Sequence, residues 1–250
     1  MSFGRAVAAA SAALLAAFGV STSAHASAET GWRAFPGGIA PGTTIAQVQE
    51  DGDFGACTLG LIAGDPTTHH LFGITAGHCD KTATSRPTVY FTDANSPDAA
   101  QPLGIYTVSR NDDGSTPTGD PNRLPVYTDA GVIAIKDGTP ISSFKIAGVY
   151  PVHRVVEDYH DLPAGVAVCK FGMKTGETCG PVVVASKYTI TAQLNVVHGD
   201  SGSPLYIKNS DGSVDLVGLA STVNGDTAKF FWVGPVLRAL NLQVCGCGAN

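Results

Sequence analysis

The sequence predicts an all-β chain that folds as two antiparallel barrels or sandwiches, with one short helix near its C-terminal end. Three observations carry this prediction. Short apolar or alternating runs, each followed by a turn signal, recur along most of the chain. Its 30 glycines and 15 prolines are scattered among these runs rather than gathered in a linker. Beyond the N-terminal segment, a sustained helical period emerges only near the end.

Taken in order, residues 1–26 stand apart from the fold. One positive charge (Arg5) precedes an alanine-rich apolar run over 6–20, and Ala24-His25-Ala26 is a small-x-small cleavage pattern. These residues are expected to be a secretory signal peptide. The alternative, a membrane anchor, needs about 20 apolar residues, more than this run supplies. No second apolar stretch of that length follows, so the exported part is expected to be soluble, without stable membrane insertion. Residues 27–50 are small, polar and rich in glycine and proline, and read as an N-terminal arm or a short propeptide.

Strands are then expected at 58–63, 71–75, 88–92, 103–108 and 130–135, and again at 166–171, 182–185, 188–194, 204–207, 216–222 and 230–233. These are too many for one small barrel. Polar and turn residues over 137–163 mark a junction, giving a first barrel over 51–145 and a second over 146–250. Residues 235–244 open on a proline and space Val236, Leu237, Leu240 and Val244 along one face, which predicts the helix.

The formal net charge is −6, and the signal segment removes a base and no acid. That balance excludes nucleic acid and anionic membrane surfaces as partners. All six cysteines (57, 79, 169, 179, 245 and 247) lie in the exported part, and an even number in an oxidising compartment suggests disulfides. Spacing leaves their connectivity open. A zinc site needs two close ligand pairs, and only Cys245-x-Cys247 is close, so no metal is expected.

Three local features carry chemistry. Thr75-Ala76-Gly77-His78-Cys79 ends an apolar strand, Thr128-Asp129-Ala130-Gly131 sets an acid at the mouth of another, and Gly199-Asp200-Ser201-Gly202-Ser203-Pro204 holds a serine in a glycine-flanked turn. A serine hydroxyl is a poor nucleophile until a neighbouring base takes its proton. Imidazole suits that task near neutral pH, and an acid is needed to fix its tautomer and stabilise the imidazolium. The amides of Gly199 and Ser201 would supply the oxyanion donors in such a turn. Ser203 replaces the last glycine of the esterase elbow G-x-S-x-G. The order His, Asp, Ser is that of chymotrypsin and differs from that of subtilisins and α/β-hydrolases. Asp120 is the rival acid, but it sits in a proline- and glycine-rich loop rather than before a strand.

With these residues the chain resembles the chymotrypsin-like serine peptidases, in particular the bacterial branch of streptogrisins and α-lytic protease. The matching segments are Cys57-Thr58-Leu59-Gly60, residues 75–79, Asp129 to Val132, Cys169 to Gly180, Gly199 to Pro204 and Leu216 to Ser221. The resemblance implies two six-stranded β-barrels with the active site between them. It also implies a catalytic triad of His78, Asp129 and Ser201, and disulfides Cys57–Cys79 and Cys169–Cys179. A third bridge of the family is missing, since Val197 and His198 stand where its cysteine often lies. Cys245 and Cys247 are left to bridge each other, to pair between molecules or to stay as thiols. Lys170 follows Cys169 and is expected to form an ion pair with Asp200 that shapes the oxyanion turn; the alternative is a solvated strand residue.

The resemblance also places Asn195 at the floor of the primary pocket with Val196 beside it, and Ser221-Thr222-Val223 as the edge that pairs with substrate backbone. His198 either lines the cleft or is a plain loop residue. With no acid at the floor, small or medium uncharged side chains are expected before the scissile bond. The function implied is a secreted serine endopeptidase acting through an acyl-enzyme on Ser201, with His78 as general base and no cofactor. Its expected partner is a polypeptide substrate and its expected state a monomer. The alternatives are a weak or inactive binding protein of the same fold, and an esterase using the same triad.

Overall fold

The computed structural model describes residues 32–49, 52–81 and 87–246. The expected signal peptide and Cys247 lie outside the described residues. Among the described residues, two β-sheets make up nearly all of the regular structure, joined by short 3-10 turns and a single α-helix.

The first sheet contains β1 (Thr44–Val48), β2 (Phe54–Thr58), β3 (Leu61–Gly64), β4 (Leu71–Thr75), β5 (Thr88–Asp93), β6 (Ser96–Arg110) and β7 (Ala130–Ile135). Its order is β3-β4-β7-β6-β5-β1-β2, with a last short strand, β15 (Gln243–Val244), added on the outside of β3. Only Leu59 and Gly60 separate β2 from β3, and their amides donate to Thr43 O and Ile74 O. The chain itself therefore carries the sheet from its β2 end back to β3. Ile45, Leu59, Ile62, Val89, Phe91, Leu103, Tyr106 and Ile133 fill the interior. Residues 44–48, part of the segment read as an arm or propeptide, belong to this sheet.

The second sheet contains β8 (Val152–Val155), β9 (Ala167–Gly172), β10 (Gly176–Ala185), β11 (Thr189–Ala192), β12 (Pro204–Lys208), β13 (Val214–Asn224) and β14 (Thr227–Trp232). Running β12-β9-β10-β11-β14-β13, it closes through an antiparallel β12–β13 pairing into a six-stranded barrel, and β8 adds to β13 in parallel. Val168, Val182, Ile190, Leu205, Val217, Phe230 and Trp232 pack inside it. A third apolar cluster lies between the sheets and under the helix, joining Leu61, Ile74 and Val132 to Tyr206, Leu219, Val236 and Leu237. The alternating inward-facing pattern read from the sequence thus serves two interiors and the seam between them.

The helix α1 (Gly234–Leu240) is shorter than its expected span. Asn241 takes a left-handed conformation (φ 54°) and its amide caps Arg238 O, which ends the helix. The chain then turns into β15 beside β3, so Val244 faces the core from a strand instead of a helix.

Replacing Phe230, which has no exposed surface inside the second barrel, with alanine should cost about 3–5 kcal/mol. In a chain of this size that lowers Tm by about 10 °C, measurable by calorimetry; a fall of a degree or less would contradict this account of the core.

Candidate active site

The site forms where three strand ends meet a turn. His78 lies in the 3-10 turn Gly77–Cys79 that follows β4, Asp129 immediately precedes β7, and Ser201 occupies the turn before β12. The antiparallel pairing of Thr75 with Gly131 brings the first two side by side. His78 Nδ1 lies 2.7 Å from Asp129 Oδ2, the His78 amide donates to Asp129 Oδ1 at 3.0 Å, and His78 Nε2 lies 2.9 Å from Ser201 Oγ. Ser221 Oγ donates to Asp129 Oδ2 at 2.5 Å, so the carboxylate has donors on both oxygens. Asp120, the rival acid, caps its own 3-10 turn at Asn122 instead.

Burial works to raise the Asp129 carboxyl. The hydrogen bonds and charge of His78, with the Ser221 hydroxyl, outweigh it and hold the group below its ordinary value. Asp129 therefore stays ionised at neutral pH. A carboxyl whose folded value is depressed gives stability that is present above its unfolded value and lost as pH falls through the folded one.

The turn around Ser201 is set by close backbone approach. Gly202 has φ +83°, and a Cβ there would fall 2.1 Å from Thr75 Oγ1 and 2.5 Å from Thr58 O. Gly199 has φ +100°. Among the described residues, the amides of Gly199 and Ser201 donate to no protein acceptor, while those of Asp200, Gly202 and Ser203 do. Two N–H groups are thus left for a ligand oxygen beside Ser201.

The first sheet also holds this turn through Thr58, which the sequence reading passed over. Its amide donates to Ser201 O at 2.8 Å. Its buried hydroxyl donates to Gly199 O at 2.9 Å and accepts from Met173 N at 3.0 Å. A threonine that begins Thr58-Leu59-Gly60 gave no functional signal, because its partners come from a different barrel.

Beneath the turn, the Asp200 carboxylate is fully buried, with Lys170 Nζ 3.2 Å from Oδ2. Lys174 N and Thr175 N donate to Oδ1 at 2.9 and 3.2 Å, and Thr175 Oγ1 donates to Oδ2 at 2.6 Å. Lys170 Nζ also donates to Thr175 Oγ1 and to Gly176 O. Burial pulls the lysine down from its ordinary value and Asp200 opposes that pull. Disulfides join Cys57 to Cys79 and Cys169 to Cys179, the second directly across the β9–β10 ladder.

A cleft of about 390 Å³ opens at the site, lined by His78, Ser201, Val196, Val197, His198, the Ser221–Val223 edge and Asp112. Asn195 lines a neighbouring groove of about 310 Å³ with Gln193, Leu194 and Asp226, and only Val196 is common to both. Asp112 lies in an acidic loop, Asn111-Asp112-Asp113-Gly114, whose sequence reads as solvated. Its carboxylate pairs with Lys229 Nζ at 2.7 Å and so links the loop after β6 to β14 across the two sheets.

This geometry and the two-sheet architecture define the chymotrypsin-like serine protease fold. Thermobifida fusca Protease A matches with a TM-score of 0.53 and 20% identity, over 85% of this chain and 98% of that one. A glutamic-acid-specific serine protease, described as using a histidine triad in substrate binding, matches at 0.58 and 17%, over 82% and 100%. Nocardiopsis protease matches at 0.52 and 19%, over 84% and 99%. At these identities the likeness is one of fold. The chain belongs to the family of the uncharacterized protein Rv1815 of Mycobacterium tuberculosis, with which it shares 31% identity over 193 residues, 75% of each chain. No family model matches the chain.

Replacing Lys170 with methionine leaves the Asp200 carboxylate buried without its cation. Unfolding in guanidinium should show a loss of about 3–5 kcal/mol; an unchanged midpoint would mean the hydrogen bonds alone carry the charge.

Proposed function

We propose that this chain is an exported serine endopeptidase that cleaves peptide bonds through an acyl-enzyme on Ser201. The observation that carries this reading is the unbroken line Asp129–His78–Ser201, at 2.7 and 2.9 Å, opening into a cleft. Asp129 holds the proton on His78 Nδ1, which leaves Nε2 free to accept the Ser201 proton as Oγ attacks the substrate carbonyl. The oxyanion that forms accepts from the amides of Gly199 and Ser201. His78 then returns the proton to the amine as the C–N bond breaks. Water repeats the sequence on the ester, releasing the acid and restoring the serine.

Substrate backbone would pair with the edge Ser221-Thr222-Val223, with side chains meeting Val196, His198 and, further out, Asn195. Export rests on the N-terminal segment 1–26 together with the two disulfides. No helix among the described residues is long and apolar enough to cross a membrane.

A fluorophosphonate probe with mass-spectrometric mapping tests the nucleophile without a known substrate. Labelling is expected at Ser201 and is expected to vanish in Ser201→Ala and His78→Ala. A folded, disulfide-intact protein that takes up no label would defeat the reading and favour a binding protein of this fold. On a cleaved peptide, Asp129→Asn should lower kcat on the order of 10⁴-fold by favouring the wrong tautomer.

Val196, Val197 and Val223 line the cleft, and the carboxylate that shares its lining, Asp112, is already paired with Lys229. Peptide-library digestion should show cleavage mainly after small or medium uncharged residues. A preference for Lys or Arg would overturn the assignment.

A further inference from the structure

The described chain begins with a segment that the proposed mechanism does not use, and this segment crosses from one sheet to the other. Its backbone is fastened to β1: Arg33 N donates to Thr44 Oγ1, and Thr44 N donates to Arg33 O at 2.8 Å. Its side chain runs the opposite way, into the second sheet. Arg33 Nε donates to Gly172 O at 3.2 Å, and the guanidinium lies 4.9 Å from the centre of the Phe171 ring.

Gly172 is the last residue of β9, and the turn it starts is the one that grips Asp200. Met173 N is held by Thr58, and Lys174 N, Thr175 N and Thr175 Oγ1 hold the Asp200 carboxylate. Asp200 in turn lies between the two amides proposed to bind the oxyanion. Burial lowers Arg33 from its ordinary value and the Asp200 carboxylate opposes this, while Arg33 adds to burial in lowering Lys170, so the three charges feel one another. A carbonyl held by a guanidinium has less freedom than one held by water, because the charged donor makes the stronger bond, and the Phe171 ring adds a cation–π attraction that holds the head in place.

We propose that Arg33 is a positioning residue for the Ser201 site: by fastening Gly172 O and Phe171 to β1 it sets the 173–175 turn, and through Asp200 the orientation of the oxyanion donors. The N-terminal arm is then part of the working site and not a passive cover. The inference rests on the endopeptidase reading, and it concerns kcat more than binding, since Arg33 lies outside the residues that line the cleft.

The test compares the wild type with Arg33→Met, Arg33→Gln and Arg33→Lys, measuring peptide hydrolysis, the rate of fluorophosphonate labelling and Tm. Met and Gln should lower kcat and the labelling rate roughly 3- to 10-fold while KM changes by less than about twofold, the pattern for an interaction felt mainly in the transition state. Lysine, which keeps the cation and a donor, should recover most of the loss. Equal loss in all three variants, in step with a fall in Tm, would reduce Arg33 to a structural contact. An unchanged kcat and labelling rate in Met and Gln would also overturn the proposal. In either case an active wild type leaves the endopeptidase reading intact, whereas an unlabelled and inactive wild type would defeat that reading first.

Discussion

A carboxylate with no exposed surface, that of Asp200, is the constraint around which the site is arranged. Taking such a charge out of water costs several kcal/mol unless a cation and hydrogen bonds replace the water. Here the replacement is nearly complete: Lys170 from β9, two amides and a hydroxyl from the turn that follows, and the Val197 amide. Each partner also fixes the geometry of its neighbours. The residue after Asp200 is Ser201, so satisfying the buried anion determines where the serine hydroxyl stands and which way the adjacent amides face.

The first sheet completes this arrangement by approach and not by charge. Gly60 and Gly202 face each other where the two sheets meet, and a Cβ at Gly60 would fall 2.5 Å from Gly202 O. At that distance a side chain on either glycine would collide with the other sheet's backbone, and the Thr58 and Thr75 side chains fill the space beside them. His78 and Asp129 belong to the first sheet and Ser201 to the second, so the 2.9 Å spacing between Nε2 and Oγ depends on this seam. The apolar cluster beneath it, from Leu61 and Ile74 to Leu219 and Val236, keeps the sheets from sliding.

What could be read from the sequence follows from the range of each interaction. The strands Leu71–Thr75 and Ala130–Ile135 carry buried apolar runs and stand at the expected residues. By contrast, β8 and β15 are recruited by partners, β13 and β3, that are distant in the chain, and their own residues carry little signal. Half of β6 is an exposed, polar hairpin arm, so its apolar segment alone was visible. His78, Asp129 and Ser201 were legible because each sits in a short motif shaped by local backbone needs. Lys170 was legible only through the resemblance. Thr58, Asp112 and Arg33 were not legible, because each acts on residues of the other sheet. The loop between Asn195 and His198 shows the same limit: the resemblance placed Asn195 at the floor of the primary pocket, and Asn195 lines the groove beside the cleft.

The position of the compensating cation also bears on how the site assembles. Lys170 and Asp200 both belong to the second sheet, and β9 pairs with β12 immediately after the serine turn. The buried anion is therefore matched as soon as that barrel closes, without a charge delivered from elsewhere in the chain. A lysine so placed is costly: burial works against its charge, and the neighbouring carboxylate, with the Thr175 hydroxyl and Gly176 O, offsets the penalty. Exchanging the pair for apolar residues of equal volume could give a more stable barrel, as buried ion pairs elsewhere indicate. Such a barrel would no longer hold the 173–175 turn to Asp200, and the stability gained would come at the expense of the one geometry that sets Ser201 against His78.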